Sequence, residues 1–186
     1  MTENYDVDRE TLASALAETG VTRFGLVRCA DVVFSTAFRA ACEANACGQY
    51  GTNWACPPGV GEPVALIEQA RRFRHGLVIQ TVWPLEDAFD FDGMMAGKDR
   101  HMELFRRAAE RVSPLLPAGG RLVLGAGACA VCPACTYPSG QPCRFPDQAM
   151  SSLEAYGIDV AALIASAGLS YNNGPDTVSY VGLVLF

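Results

Sequence analysis

Cys129-Ala-Val-Cys132-Pro-Ala-Cys135 sets three thiols at successive intervals of three residues, and Cys143 follows after Thr136-Tyr137-Pro138-Ser139-Gly140-Gln141-Pro142. A curled loop can turn thiols at that spacing toward one compact polynuclear centre, and the Pro and Gly residues favour a tight return to the fourth. The spacing therefore predicts an iron–sulfur cluster of the 4Fe-4S kind, ligated by Cys129, Cys132, Cys135 and Cys143. Structural zinc is the alternative. It also takes four cysteines, but usually from two separate Cys-x-x-Cys knuckles roughly fifteen residues apart, whereas here the knuckles overlap. Arg144, directly after the last ligand, either offsets thiolate charge by donating to cluster sulfur or forms a surface ion pair with Asp147 or Glu154. Tyr137 is expected to pack, and to keep water from the site.

A looser group lies upstream: Cys42, Cys47 and Cys56, with Gly51 and Pro57-Pro58 supplying turning and rigid backbone. Three thiolates leave one coordination position open. Either Cys29 closes it, or Cys29 is a small buried hydrophobe and an iron there can take water, substrate or a partner's ligand. Tyr50 and Trp54 are expected to give apolar cover. One or two clusters are thus implied. His75 and His101, the only histidines, sit outside both groups and at no metal-motif spacing, so each is expected to be a helix-surface or capping residue. No Ser-His-Asp set or phosphate loop is present, and Gly125-Ala126-Gly127 lacks the third glycine of a dinucleotide fingerprint.

The elements that must hold these loops can be read from caps and periodicity. Asp8 caps a helix carrying Leu12, Ala15 and Leu16, and Gly20 ends it. Residues 24–27 and 32–34 read as short strands, and Ser35 opens a helix running to Cys42. Pro63 starts a helix through Leu66, Ile67 and Ala70, and 77–82 follows as a strand. A longer helix is expected over 98–116, with Leu104, Phe105, Ala108 and Val112 on one stripe, then a strand over 121–124 that delivers the second cysteine group. Asp159 caps a helix over 160–167, and 177–186 is a last, buried strand. Strands alternating with helices predict an α/β fold of one domain over 1–186: a layered sheet, mixed or partly parallel, with cysteine-rich metal loops at element ends.

Composition narrows the setting. The chain has 186 residues, half of them apolar, enough for a core without disulfide staples. Eight cysteines, seven of them in two groups at ligand-like spacing, argue for metal rather than disulfides in a reducing cytosol. A net charge of −6, spread along the chain, gives nucleic acid nothing to bind. Met1-Thr2-Glu3-Asn4-Tyr5-Asp6 lacks the basic-then-apolar pattern of an export signal, and no apolar run approaches membrane-spanning length. A soluble cytoplasmic protein is expected, with no membrane or nucleic-acid partner. Three functions stay open: an electron carrier or accessory subunit with a redox protein partner, an enzyme using an open three-cysteine iron–sulfur site, and a non-catalytic zinc module.

Over most of its length the chain resembles a family of predicted metal-binding proteins, the domain-of-unknown-function 2284 family. The resemblance is carried by Cys47-Gly-Gln-Tyr50, Trp54-Ala-Cys56-Pro57-Pro58, the run from Gly127 through Cys143-Arg144-Phe-Pro146, and Ser152-Leu153-Glu154-Ala155-Tyr156-Gly157. It implies metal binding through these cysteines and brings no reaction, substrate or partner. Cys29 lies outside the pattern, and Leu153 stands where members often have Met.

Overall fold

The computed structural model describes residues 5–186. The N-terminal reading falls partly on residues 1–4, outside the described residues. Asp8 accepts from the N–H groups of Glu10 and Thr11 and so opens α1 (Arg9–Ala17), which buries Leu12, Ala15 and Leu16. Strand β1 (Arg23–Arg28) leads to a short 3-10 turn at Cys29–Asp31, and α2 (Phe38–Glu43) ends on the first cysteine loop. Pro63 occupies the first turn of α3 (Pro63–Ala70), which is followed by β2 (His75–Pro84). Then come α4 (Phe91–Val112), β3 (Leu122–Gly125), the two-residue β4 (Ser151–Ser152), α5 (Val160–Ser166) and β5 (Thr177–Leu185).

The five strands form one sheet in the order β1-β2-β5-β3-β4. All neighbours are antiparallel except β3 and β4, so the sheet is mixed and the fold is α/β, as the alternation of elements predicts. Side chains alternate across it. Leu77, Ile79 and Val184 meet α1 and α4 through Leu12, Leu16, Phe105 and Val112, while Val78, Val181, Leu183 and Leu185 meet Leu66, Ala70, Leu163 and Ile164 of α3 and α5. Helices thus cover both faces, and loops can extend from the ends of rigid strands. No described helix is long and apolar enough to cross a membrane.

Three expectations change. Residues 32–34 make no strand; Phe34 forms only an isolated bridge to Ile158. Helix α4 begins seven residues before the expected 98, because Asp90 caps it by accepting from Gly93 N at 2.8 Å. The histidines are not surface groups either. His75 begins β2, and His101 is fully buried on α4, its Nδ1 paired with Thr81 Oγ1 at 2.9 Å.

Candidate metal centre

Strand β3 ends at Gly125, and the chain turns directly into the second cysteine loop. Cys129, Cys132, Cys135 and Cys143 all line a single cavity of about 220 Å³, each half-buried. A 3-10 turn at Tyr137–Ser139 and the left-handed Gly140 fold the chain back toward Cys143. Thr136 locks this return: its hydroxyl donates to Pro142 O at 2.9 Å, and its carbonyl accepts from Ser139 Oγ at 2.8 Å. Arg144 donates to Ala134 O at 2.8 Å rather than pairing with Asp147 or Glu154, so it braces the loop between two ligand candidates.

Electrostatics single out Cys135. Burial acts to raise its pKa, but the backbone N–H groups of Tyr137, Trp54 and Thr136 and the Arg144 guanidinium outweigh that and hold it below the usual thiol range. The site therefore favours the thiolate at this position, the form that ligates metal.

The first cysteine loop forms part of the same wall. Asn53, Trp54 and Ala55 line the cavity opposite the cysteines. Trp54 joins the two loops: Nε1 donates to Gln141 O at 3.0 Å, and its ring stands edge-on to Tyr137 with centroids 4.9 Å apart. Tyr137 packs as expected, and Trp54 covers the cavity, whereas Tyr50 is not among the lining residues.

Cys42, Cys47 and Cys56 are brought into one neighbourhood. Burial raises the pKa of Cys56, the Asn53 side chain opposes this, and the charges of Cys47, Cys42 and Cys129 raise it further. For Cys42, burial also dominates, opposed by Arg39 and reinforced by Glu154, Cys47 and Glu43. Cys47 is exposed and Cys56 is buried. Because Cys56 feels Cys129, the two cysteine groups are neighbours. Cys29 is elsewhere: its thiol donates to Ala70 O at 3.4 Å within the core beside Val27, Val32 and Leu66.

Among the described residues, no three Cys, His, Asp or Glu side chains converge closely enough to hold a single metal ion. The thiols of the second group are instead spread around a cavity. Asn53 and Thr136 are the site residues that sequence reasoning missed. Both are small polar residues in Gly- and Pro-rich loops, a setting in which such side chains commonly bond local backbone.

Comparison with known proteins agrees with this chemistry. No curated protein and no solved structure matches the chain. A family model described as predicted metal-binding protein (DUF2284) matches residues 25–186, which include all eight cysteines. This chain belongs to that family of predicted metal-binding proteins.

Proposed function

We propose that the protein is an iron–sulfur protein that carries electrons for a larger oxidoreductase system, with one 4Fe-4S cluster held by Cys129, Cys132, Cys135 and Cys143. The observation that carries this reading is that four half-buried cysteines all line one cavity of about 220 Å³. A zinc ion draws four sulfurs to roughly 2.3 Å from one point, whereas a cube of iron and sulfide keeps its cysteines apart and needs room between them. When bound, such a cluster supplies reversible one-electron chemistry. The chain's own residues tune the site. The N–H groups and guanidinium around Cys135 stabilise negative charge on its sulfur, and donors to cluster sulfur favour the reduced state. Trp54, backed by Tyr137, limits access of water on one side, while the partial exposure of the four cysteines gives a redox protein partner an approach.

Cys42, Cys47 and Cys56 are assigned to a second cluster with one iron not ligated by cysteine of this chain. The core position of Cys29 supports that assignment. The decisive experiment is anaerobic purification followed by iron, acid-labile sulfide and zinc determination. Iron and sulfide in equal amounts are expected. Stoichiometric zinc without sulfide would overturn the proposal.

A further inference from the structure

A larger cavity, of about 600 Å³, lies where β3 parts from β5. In the sheet register, β3 pairs with β5 only through Leu122↔Leu185, Val123↔Val184 and Leu124↔Leu183. Residues 177–181 of β5 therefore pair with β2 on one side and with no strand on the other. All five of these consecutive residues line the cavity. Side chains of a strand alternate between faces, so an unbroken run in one wall means that the strand presents its edge. An unpaired edge offers backbone N–H and C=O groups that need partners.

The rest of the wall supplies two further kinds of recognition. Val160, Val178 and the exposed ring of Tyr171 give it apolar surface, against which a hydrocarbon or aromatic group can be buried. Lys98 is the single cation among the described residues of the wall. Its side chain is only 26% exposed, it runs over Gly127 with Cδ 3.4 Å from where a Cβ would stand, and its ammonium meets Asp99 at 3.2 Å. Asp99 is 71% exposed, and a pair of that kind contributes little, so an incoming anion can take its place. Glu154, the acidic residue among the described residues of the wall, belongs to the 3-10 turn at Glu154–Tyr156, which packs against α2.

We propose that this cavity binds a small amido-carboxylate: a molecule with an apolar body, an amide that pairs with the open edge of β5, and a carboxylate that pairs with Lys98. The strand edge selects for the amide, and Lys98 for the acid. Because Gly127 leads into Cys129 and the turn carrying Glu154 packs against α2, which carries Cys42, the bound molecule sits beside both cysteine groups. The proposal does not depend on which metal those groups hold.

The test uses metal-replete protein and calorimetric titration with N-acetyl-L-phenylalanine, which carries all three features, and with its neutral analogue N-acetyl-L-phenylalaninamide. The acid should bind at one equivalent and the amide at least about tenfold more weakly, the effect of one charge-assisted hydrogen bond. Lys98→Gln should bring the acid down to the amide's affinity, and Lys98→Arg should preserve the preference. Thermal melting and metal content are measured on each variant. Equal binding of acid and amide by the wild type, an acid preference that survives Lys98→Gln, or no saturable binding of either probe would overturn the assignment. None of these outcomes bears on the iron and sulfide determination, so the two proposals stand or fall separately.

Discussion

Trp54 ties the two cysteine loops together, and removing it should loosen the metal without unfolding the protein. Its ring is in neither core cluster, so the effect of substitution is confined to the loops. The bond from Nε1 to Gln141 O is 3.0 Å long and solvent-accessible, which places it in the lower half of the range for neutral hydrogen bonds, about 0.5 kcal/mol. The edge-on contact with Tyr137 contributes about 1 kcal/mol more. Trp54→Phe keeps an aromatic edge and loses only the bond; Trp54→Ala loses both. If metal leaves through transient separation of the loops, the opening equilibrium rises about twofold for Phe and about tenfold for Ala, at 1.4 kcal/mol per factor of ten. The assay is the rate of metal transfer to an excess of chelator, followed by absorbance under anaerobic conditions, beside the thermal midpoint of each variant. A Trp54→Ala protein that releases metal no faster than wild type would refute the idea that this contact holds the site closed.

Other substitutions probe separate parts of the argument. Cys132→Ala should remove the metal of the four-cysteine site, read as a partial loss of iron by elemental analysis, whereas Cys29→Ser should retain the full content, since a serine hydroxyl can still donate to Ala70 O; loss of metal from the serine variant would make Cys29 a ligand. Gly182→Ala should lower the thermal midpoint by roughly 3–10 °C and leave metal content intact, because a Cβ at Gly182 would stand 2.4 Å from the Phe105 ring in a packed core; an unchanged midpoint would mean the ring moves aside freely. Burial holds the pKa of His101 down at about 4 against an ordinary 6.5, with the Val181 backbone opposing, so the fold favours the neutral ring. Stability is then whole above pH 6.5 and falls as the pH drops toward 4, by about 2 kcal/mol between pH 7 and 5. Urea unfolding at those two pH values should show a smaller fall for His101→Gln, and an equal fall would move the titration to other groups.

Local signals placed the elements whose boundaries are written in nearby residues. The caps at Asp8 and Asp159 and the proline opening α3 each act within one turn, and each appears where the sequence indicates. The start of α4 is not marked by periodicity, since its first two turns carry Gly93 and Gly97, which leave room for Asp90 and Trp83. A Cβ at Gly93 would stand 2.0 Å from the capping Asp90 carboxylate, and one at Gly97 would stand 3.1 Å from Trp83. His101 was misread for a related reason. A lone polar residue on a helix looks exposed until a strand supplies Thr81, twenty residues earlier, as its partner. Strand order was beyond local reading altogether: the last strand of the chain inserts between β2 and β3, a choice made by long-range burial.

At the site, spacing located the thiols of the second group, because ligand loops are short-range objects: Cys129 to Cys143 span a few turns closed by their own hydrogen bonds. What spacing could not reveal is that the two groups share a wall. That arrangement depends on Trp54 reaching Gln141 across 87 positions of sequence. It also changes what the first group can be. Cys56 lies close enough to feel the charge of Cys129, which makes its own thiol harder to ionise. Metal binding at either group, by neutralising its thiolates, should therefore favour thiolate formation at the other. Loading of the two sites is then positively coupled, and the three-thiolate group, whose Cys56 is buried, should gain most from the four-thiolate group being filled first.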